Sequence, residues 1–123
     1  MVRLSLLCLA LCGCGVAQSG PQARVMISQQ DIVMNRPNTD RSEALFRMFA
    51  DGTGTVDFTH GATGPQPVTW TLDRDLFCLA AENGLLARFG CARVDVSGDQ
   101  ITLAHIGSDS VVTGVFVARG PAT

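Results

Sequence analysis

From residue 44 onward the chain is punctuated by the pairs Asp51-Gly52, Asn83-Gly84 and Gly98-Asp99, which cut it into apolar runs too short for stable helices. Such pairs supply the positive-φ positions that tight hairpin turns require. Between them the side chains alternate. Val68, Trp70 and Leu72 are separated by Thr69 and Thr71, the period of a half-buried strand. A chain cut in this way buries its apolar residues by folding each strand back on the one before it, which restricts the fold to an antiparallel meander.

The turns set the registers. A three-residue loop at 50–52, with Gly52 left-handed, puts Phe46, Met48, Val56 and Phe58 on one face and Arg47, Thr53, Thr55 and Asp57 on the other. A two-residue loop would mix Arg47 with Val56 and Phe46 with Asp57. The competing reading is a helix through Leu45, Met48 and Phe49. Residues 59–67 (THGATGPQP) read as a loop and 73–75 as a turn. Strand 76–81 returns through Asn83-Gly84 as strand 86–96, bent at Gly90. With Gly98-Asp99 central to the next turn, Val96 meets Ile101, Val94 meets Leu103 and Ala92 meets His105. After a turn at 107–110, strand 111–118 is apolar on both faces, as a strand covered on both sides would be.

Upstream, Ser28 reads as the N-cap of a helix, with Asp31 as its capping-box acid and Ile27 and Ile32 as its hydrophobic staple. Pro37 ends that helix near Asn35. The fold class is therefore all-β: a small antiparallel meander barrel, calycin-like, of about six to eight strands with one short N-terminal helix. Closure removes exposed sheet edges, and a chain with 16% charged residues has few charges with which to protect them.

Composition removes several functional classes. At 123 residues there is room for one domain. Hydrophobic residues make up 46%, too many for a disordered tail. All nine basic residues are Arg, set against eleven acids, and no basic cluster marks a nucleic-acid face. No run reaches the ~18–20 apolar residues of a membrane-spanning helix.

Residues 1–13 have the order of a secretory signal peptide: Arg3, an apolar stretch, then small residues. Leu11-Cys12-Gly13-Cys14 is similar to the bacterial lipoprotein signal, with Leu three places and Gly one place before the Cys that receives lipid. Cys14 is the expected lipidation site, residues 14–23 the lipidated Cys and a flexible tether, and 24–123 the barrel domain. Gly15 after the Cys resembles outer-membrane sorting, so the chain is expected in the cell envelope facing the periplasm. The competing cut, after Ala17, would make it periplasmic or secreted. Cysteine arithmetic agrees with export. Cys8 and Cys12 leave with the signal and Cys14 takes the lipid, so Cys78 and Cys91 remain as a pair in an oxidising compartment. A two-residue turn at Asn83-Gly84 sets Cys78 opposite Phe89, with Cys91 its diagonal neighbour; a four-residue loop sets the two Cys directly opposite. Either allows a disulfide, worth ~3 kcal/mol for a loop of this length. Two thiols with no close His are a poor zinc signature.

Chemistry-bearing residues are few. Asp51, Thr53, Thr55 and Asp57 alternate like a calcium loop, but Val56 holds the Gly position. Asp51-Gly52-Thr53 lacks the nucleophilic Asp of a phosphatase box, because Phe49 stands in its place. His60 and His105 have no nucleophile motif beside them. No catalytic residue, metal or cofactor is expected, and the chain reads as a non-enzyme. Binding residues concentrate on loops, which makes His60 and Gln66 the candidate binding loop. Trp70 and His105 face the interior as candidate ligand contacts. Inward Gly54, Ala92 and Gly114 would hollow the barrel, while Phe46, Phe58, Trp70 and Phe116 would fill it.

The series Phe49, Asp51-Gly52-Thr53, Thr69-Trp70, Leu76-Phe77-Cys78, Cys91, Gly98-Asp99-Gln100-Ile101-Thr102-Leu103 and Gly114-Val115-Phe116 resembles a family of short exported bacterial β-proteins of unknown function. The likeness covers residues 46–119; Val68 stands where that family has Gly, and Phe77 intervenes between Leu76 and Cys78. A second likeness is to periplasmic inhibitors of secreted metalloproteases, which are barrels with a Trp and one disulfide. The export signal, the cysteine count and the absence of a catalytic set point to a binding or interaction module of the envelope whose partner is an unknown envelope or secreted protein, with an inhibitor of a secreted hydrolase as its sharpest form. The alternative is a carrier of a small apolar ligand, which needs a hollow barrel. A cavity of ~300 Å³ or more favours the carrier.

Overall fold

The computed structural model describes residues 21–59, 64–82 and 85–120. Helix α1 (Pro21–Gln29) leads into eight strands: β1 (Asp31–Asn35), β2 (Ser42–Met48), β3 (Thr53–Phe58), β4 (Gln66–Asp73), β5 (Leu76–Ala80), β6 (Gly90–Ser97), β7 (Gln100–His105) and β8 (Val111–Val117). Each strand pairs antiparallel with its neighbour in sequence, and β1 closes the ring on β8. The expected all-β meander barrel is the fold, with one short helix and a Cys78–Cys91 disulfide.

Alternation decides which side chains go in. Ile32, Met34, Phe46, Met48, Val56, Val68, Trp70, Leu72, Val94, Val96, Ile101 and Leu103 are buried inside the ring, while their Thr, Arg and Asp neighbours face out. The three-residue loop puts Phe46 opposite Val56 and Met48 opposite Gly54, and Gly52 has φ 92°. The Gly98-Asp99 turn puts Val96 opposite Ile101, Val94 opposite Leu103 and Ala92 opposite His105. Both registers are those the turn chemistry implies.

Five expectations fail. The helix ends where it was expected to begin. Ser28 lies in its last turn, and its hydroxyl donates to the Val25 carbonyl at 3.2 Å instead of capping. Asp31 opens strand β1 because Arg47 and Arg119 claim its carboxylate. Pro21 to Ala23, expected in the tether, belong to α1, where Ala23 is fully buried; residues 14–20 lie outside the described residues. Gln66 and Pro67 leave the expected loop 59–67 to start β4, pairing with Val56 and Thr55. Strand 86–96 is shorter than expected, because a 3-10 turn (Leu85–Arg88) precedes Gly90, which takes φ 69°. Asn83-Gly84 lies outside the described residues, but the register beyond it is that of the four-residue loop: Cys78 faces Cys91 directly. Finally, β8 is not covered on both sides. Val111, Val115 and Val117 are 38%, 37% and 36% exposed on the outer wall.

Candidate functional site

The strand directions give the barrel two unlike ends. The hairpin turns at 49–52, 74–75 and 98–99 gather at one end, where α1 also lies. The connections at 36–41, 81–89 and 106–110 gather at the other.

The first end is closed. Ala23 and Ile27 of α1 are buried against the barrel. Arg24 fastens the helix by donating from Nη2 to the Leu72 carbonyl at 2.6 Å, with its guanidinium 5.3 Å from the Trp70 ring. The Trp70 indole N–H donates to the carbonyls of Phe49, at 2.9 Å, and Thr53, at 3.1 Å, which holds the β2–β3 turn shut. Beside it Asp31, 3% exposed, accepts hydrogen bonds from Arg47 and from the Arg119 Nε at 2.9 Å. Arg119 also donates to the carbonyls of Ser28, Gln30 and Met48, so one side chain satisfies the end of α1 and of β2. Burial by itself pushes the Asp31 carboxyl up, but the hydrogen bonds and charges of Arg47 and Arg119 outweigh it and hold it below its ordinary value.

The second end is a half-open cup with a cavity of about 370 Å³. Its walls are apolar side chains of β1, β2, β3 and β8, chiefly Met34, Phe46, Phe58 and Val112. Leu86 of the 3-10 turn and Phe89 form the remaining apolar wall. The Phe89 ring is 6.4 Å from Phe46 and 6.1 Å from Phe77, so it lies between opposite sides of the barrel. His105 stands edge-to-face against it at 4.6 Å. The His105 Nδ1 is buried and has no hydrogen-bond partner among the described residues. Asn35, Glu43, Arg88, Ser108 and Ser110 bring the other polar groups to the lining.

The structure separates the two interior candidates. His105 lines the cup; Trp70 packs at the closed end, where its N–H is already bonded. His60 lies outside the described residues, as does Cys14. Gln66 is a half-buried strand residue. Cys78 and Cys91 face outward, because their neighbours Phe77, Leu79 and Ala92 are the buried ones. The inward glycines do not hollow the barrel. A Cβ on Gly54 would stand 2.8 Å from the Met48 Sδ, and one on Gly114 2.9 Å from the Met34 Sδ. The methionines fill that space. Asp51 is spent within its turn, accepting from the Thr53 N–H at 3.0 Å and the Thr53 hydroxyl at 2.7 Å, and these bonds hold its carboxyl below the ordinary value. Among the described residues no three His, Cys, Asp or Glu side chains gather as a metal site.

Sequence reasoning missed Leu86 and Phe89. Their spacing of three, the 3-10 repeat, was the available signal, and the Asn-Gly pair hid it by inviting a plain hairpin. Comparison of the chain with protein-family models, with curated proteins and with solved structures gives no match.

Proposed function

We propose that this chain is an exported, lipid-anchored envelope protein whose barrel binds a small apolar molecule in the cup at its open end. One observation carries the binding role: a cavity of about 370 Å³, walled by Met34, Phe46, Phe58, Phe89 and Val112, at the mouth of a barrel plugged at its other end. Pockets that hold small molecules fall in the range of ~300–1,000 Å³, with mostly apolar walls and a few polar groups. Met34, Phe46, Phe58 and Val112 stand on paired strands, so that part of the pocket is formed before a ligand arrives and little ordering entropy opposes binding there. The interaction-module reading places its binding surface on a loop carrying His60 and Gln66. With Gln66 in β4, the cup has the better shape for a ligand, and the carrier reading leads.

The test is binding of the dye N-phenylnaphthylamine, which fluoresces when it leaves water. Wild type is expected to take up the dye saturably at one site. Val112→Trp puts an indole into the cup and is expected to abolish uptake without unfolding the barrel, as circular dichroism would verify. Equal uptake by folded wild type and variant, or none by wild type, overturns the reading.

A further inference from the structure

We infer that the cup selects uncharged ligands carrying a hydrogen-bond acceptor, such as an ester, ketone or amide oxygen, and that His105 supplies the donor. This rests on the cup being a ligand site. The two nitrogens of the ring differ in their surroundings. Nδ1 is buried with no partner among the described residues. A proton there would be a buried donor with no acceptor, which is dearer to leave unmet than a bare lone pair. The hydrogen-bond pattern therefore assigns the proton to Nε2. The ring is half-buried and lines the cavity, so Nε2 is the nitrogen within reach of a bound molecule. Phe89, edge-to-face on the ring at 4.6 Å, holds the imidazole in place, and Ala92 is its register partner on β6.

The rest of the lining argues against an ionic head group. Its two charged residues, Glu43 and Arg88, are opposite in sign, so neither a carboxylate nor an ammonium meets a net complementary charge. Asn35 has its amide nitrogen bonded to the Thr113 hydroxyl at 2.9 Å. The apolar walls take the tail, and the His105 N–H, its ring fixed against Phe89, orients the head, with Arg88, Ser108 and Ser110 as the other donors of the lining.

The experiment compares methyl octanoate, n-undecane and octanoate as ligands of the full chain, by calorimetry or ligand-observed NMR. Two variants accompany wild type: His105→Leu, which removes the donor, and His105→Gln, which keeps an N–H. His105→Leu is expected to weaken methyl octanoate about five- to tenfold, the worth of one hydrogen bond, and to leave n-undecane unchanged. His105→Gln is expected to recover part of that loss, and octanoate to bind wild type more weakly than its ester. If His105→Leu weakens ester and alkane alike, the donor role is wrong while the cup stands. Should octanoate bind tightest, the uncharged class is wrong. If neither the ester nor the alkane binds wild type, the cup itself is not a ligand site and both readings fall.

Discussion

Asp31 shows how a single side chain ties distant parts of the chain together. It sits at 3% exposure between Arg47 of β2 and Arg119 beyond β8. A buried carboxylate persists only when it is paired and bonded, and here two guanidinium groups do both. Its folded value lies below the ordinary 3.8. The stabilisation is therefore complete above about pH 4 and is lost as the pH falls through the lower folded value. Asp31→Ala leaves two half-buried guanidinium charges without their carboxylate and is expected to cost about 3 kcal/mol at neutral pH. Denaturant titrations of both proteins at neutral and acid pH would check this. The variant should lose less on acidification than wild type; an equal loss would assign the acid sensitivity to other carboxylates.

The seam between β5 and β6 is the element with the most to hold together. The two strands share four paired positions and are joined by a long connection, 81–89, instead of a tight hairpin. The Cys78–Cys91 bond sits in the middle of that ladder, its Cα atoms 4.0 Å apart. It also anchors the connection that carries Leu86 and Phe89 into the cup. Replacing both cysteines by Ala is expected to lower stability by about 2–4 kcal/mol, read from the denaturation midpoint. A typical domain has 5–15 kcal/mol in all, so the loss is large. An unchanged midpoint would mean that barrel closure alone keeps the seam paired. At the other end, α1 contributes as a plug: Ala23 and Ile27 bury apolar surface that the ring would otherwise leave open to water.

For the whole molecule, the unlike ends give the barrel a direction. Helix α1 begins at the closed end, so a lipid on Cys14 would hold that end toward the membrane and turn the cup away from it. Cys14→Ser is expected to move the protein from the membrane fraction to the soluble fraction of the envelope. A wild type already soluble, with its N-terminus at Gln18, overturns the anchor. The outer wall of β8, with Val111, Val115 and Val117, remains the most apolar stretch of exposed strand, and no element of the described chain covers it.

The alternation of Val68, Trp70 and Leu72 and the turn pairs at 51–52 and 98–99 determined the meander, its faces and two of its registers, because strand period and turn geometry act over a few residues. Cysteine parity likewise paired Cys78 with Cys91. What the tertiary structure decided are contacts between residues far apart in sequence. Asp31 reads locally as a helix-capping acid, and only the approach of Arg47, 16 residues away, and Arg119, 88 residues away, makes it the first residue of a strand. Gly54 and Gly114 look like openings until Met48 and Met34 are seen to lie over them. The cup follows the same rule. His105 was legible as an inward residue, and the β6–β7 register brings Phe89 to it, but Met34, Phe46 and Phe58 face it across the cup only when β8 closes on β1 and wraps the strands into a ring. Local chemistry sets the direction in which each side chain points; ring closure sets what it meets there.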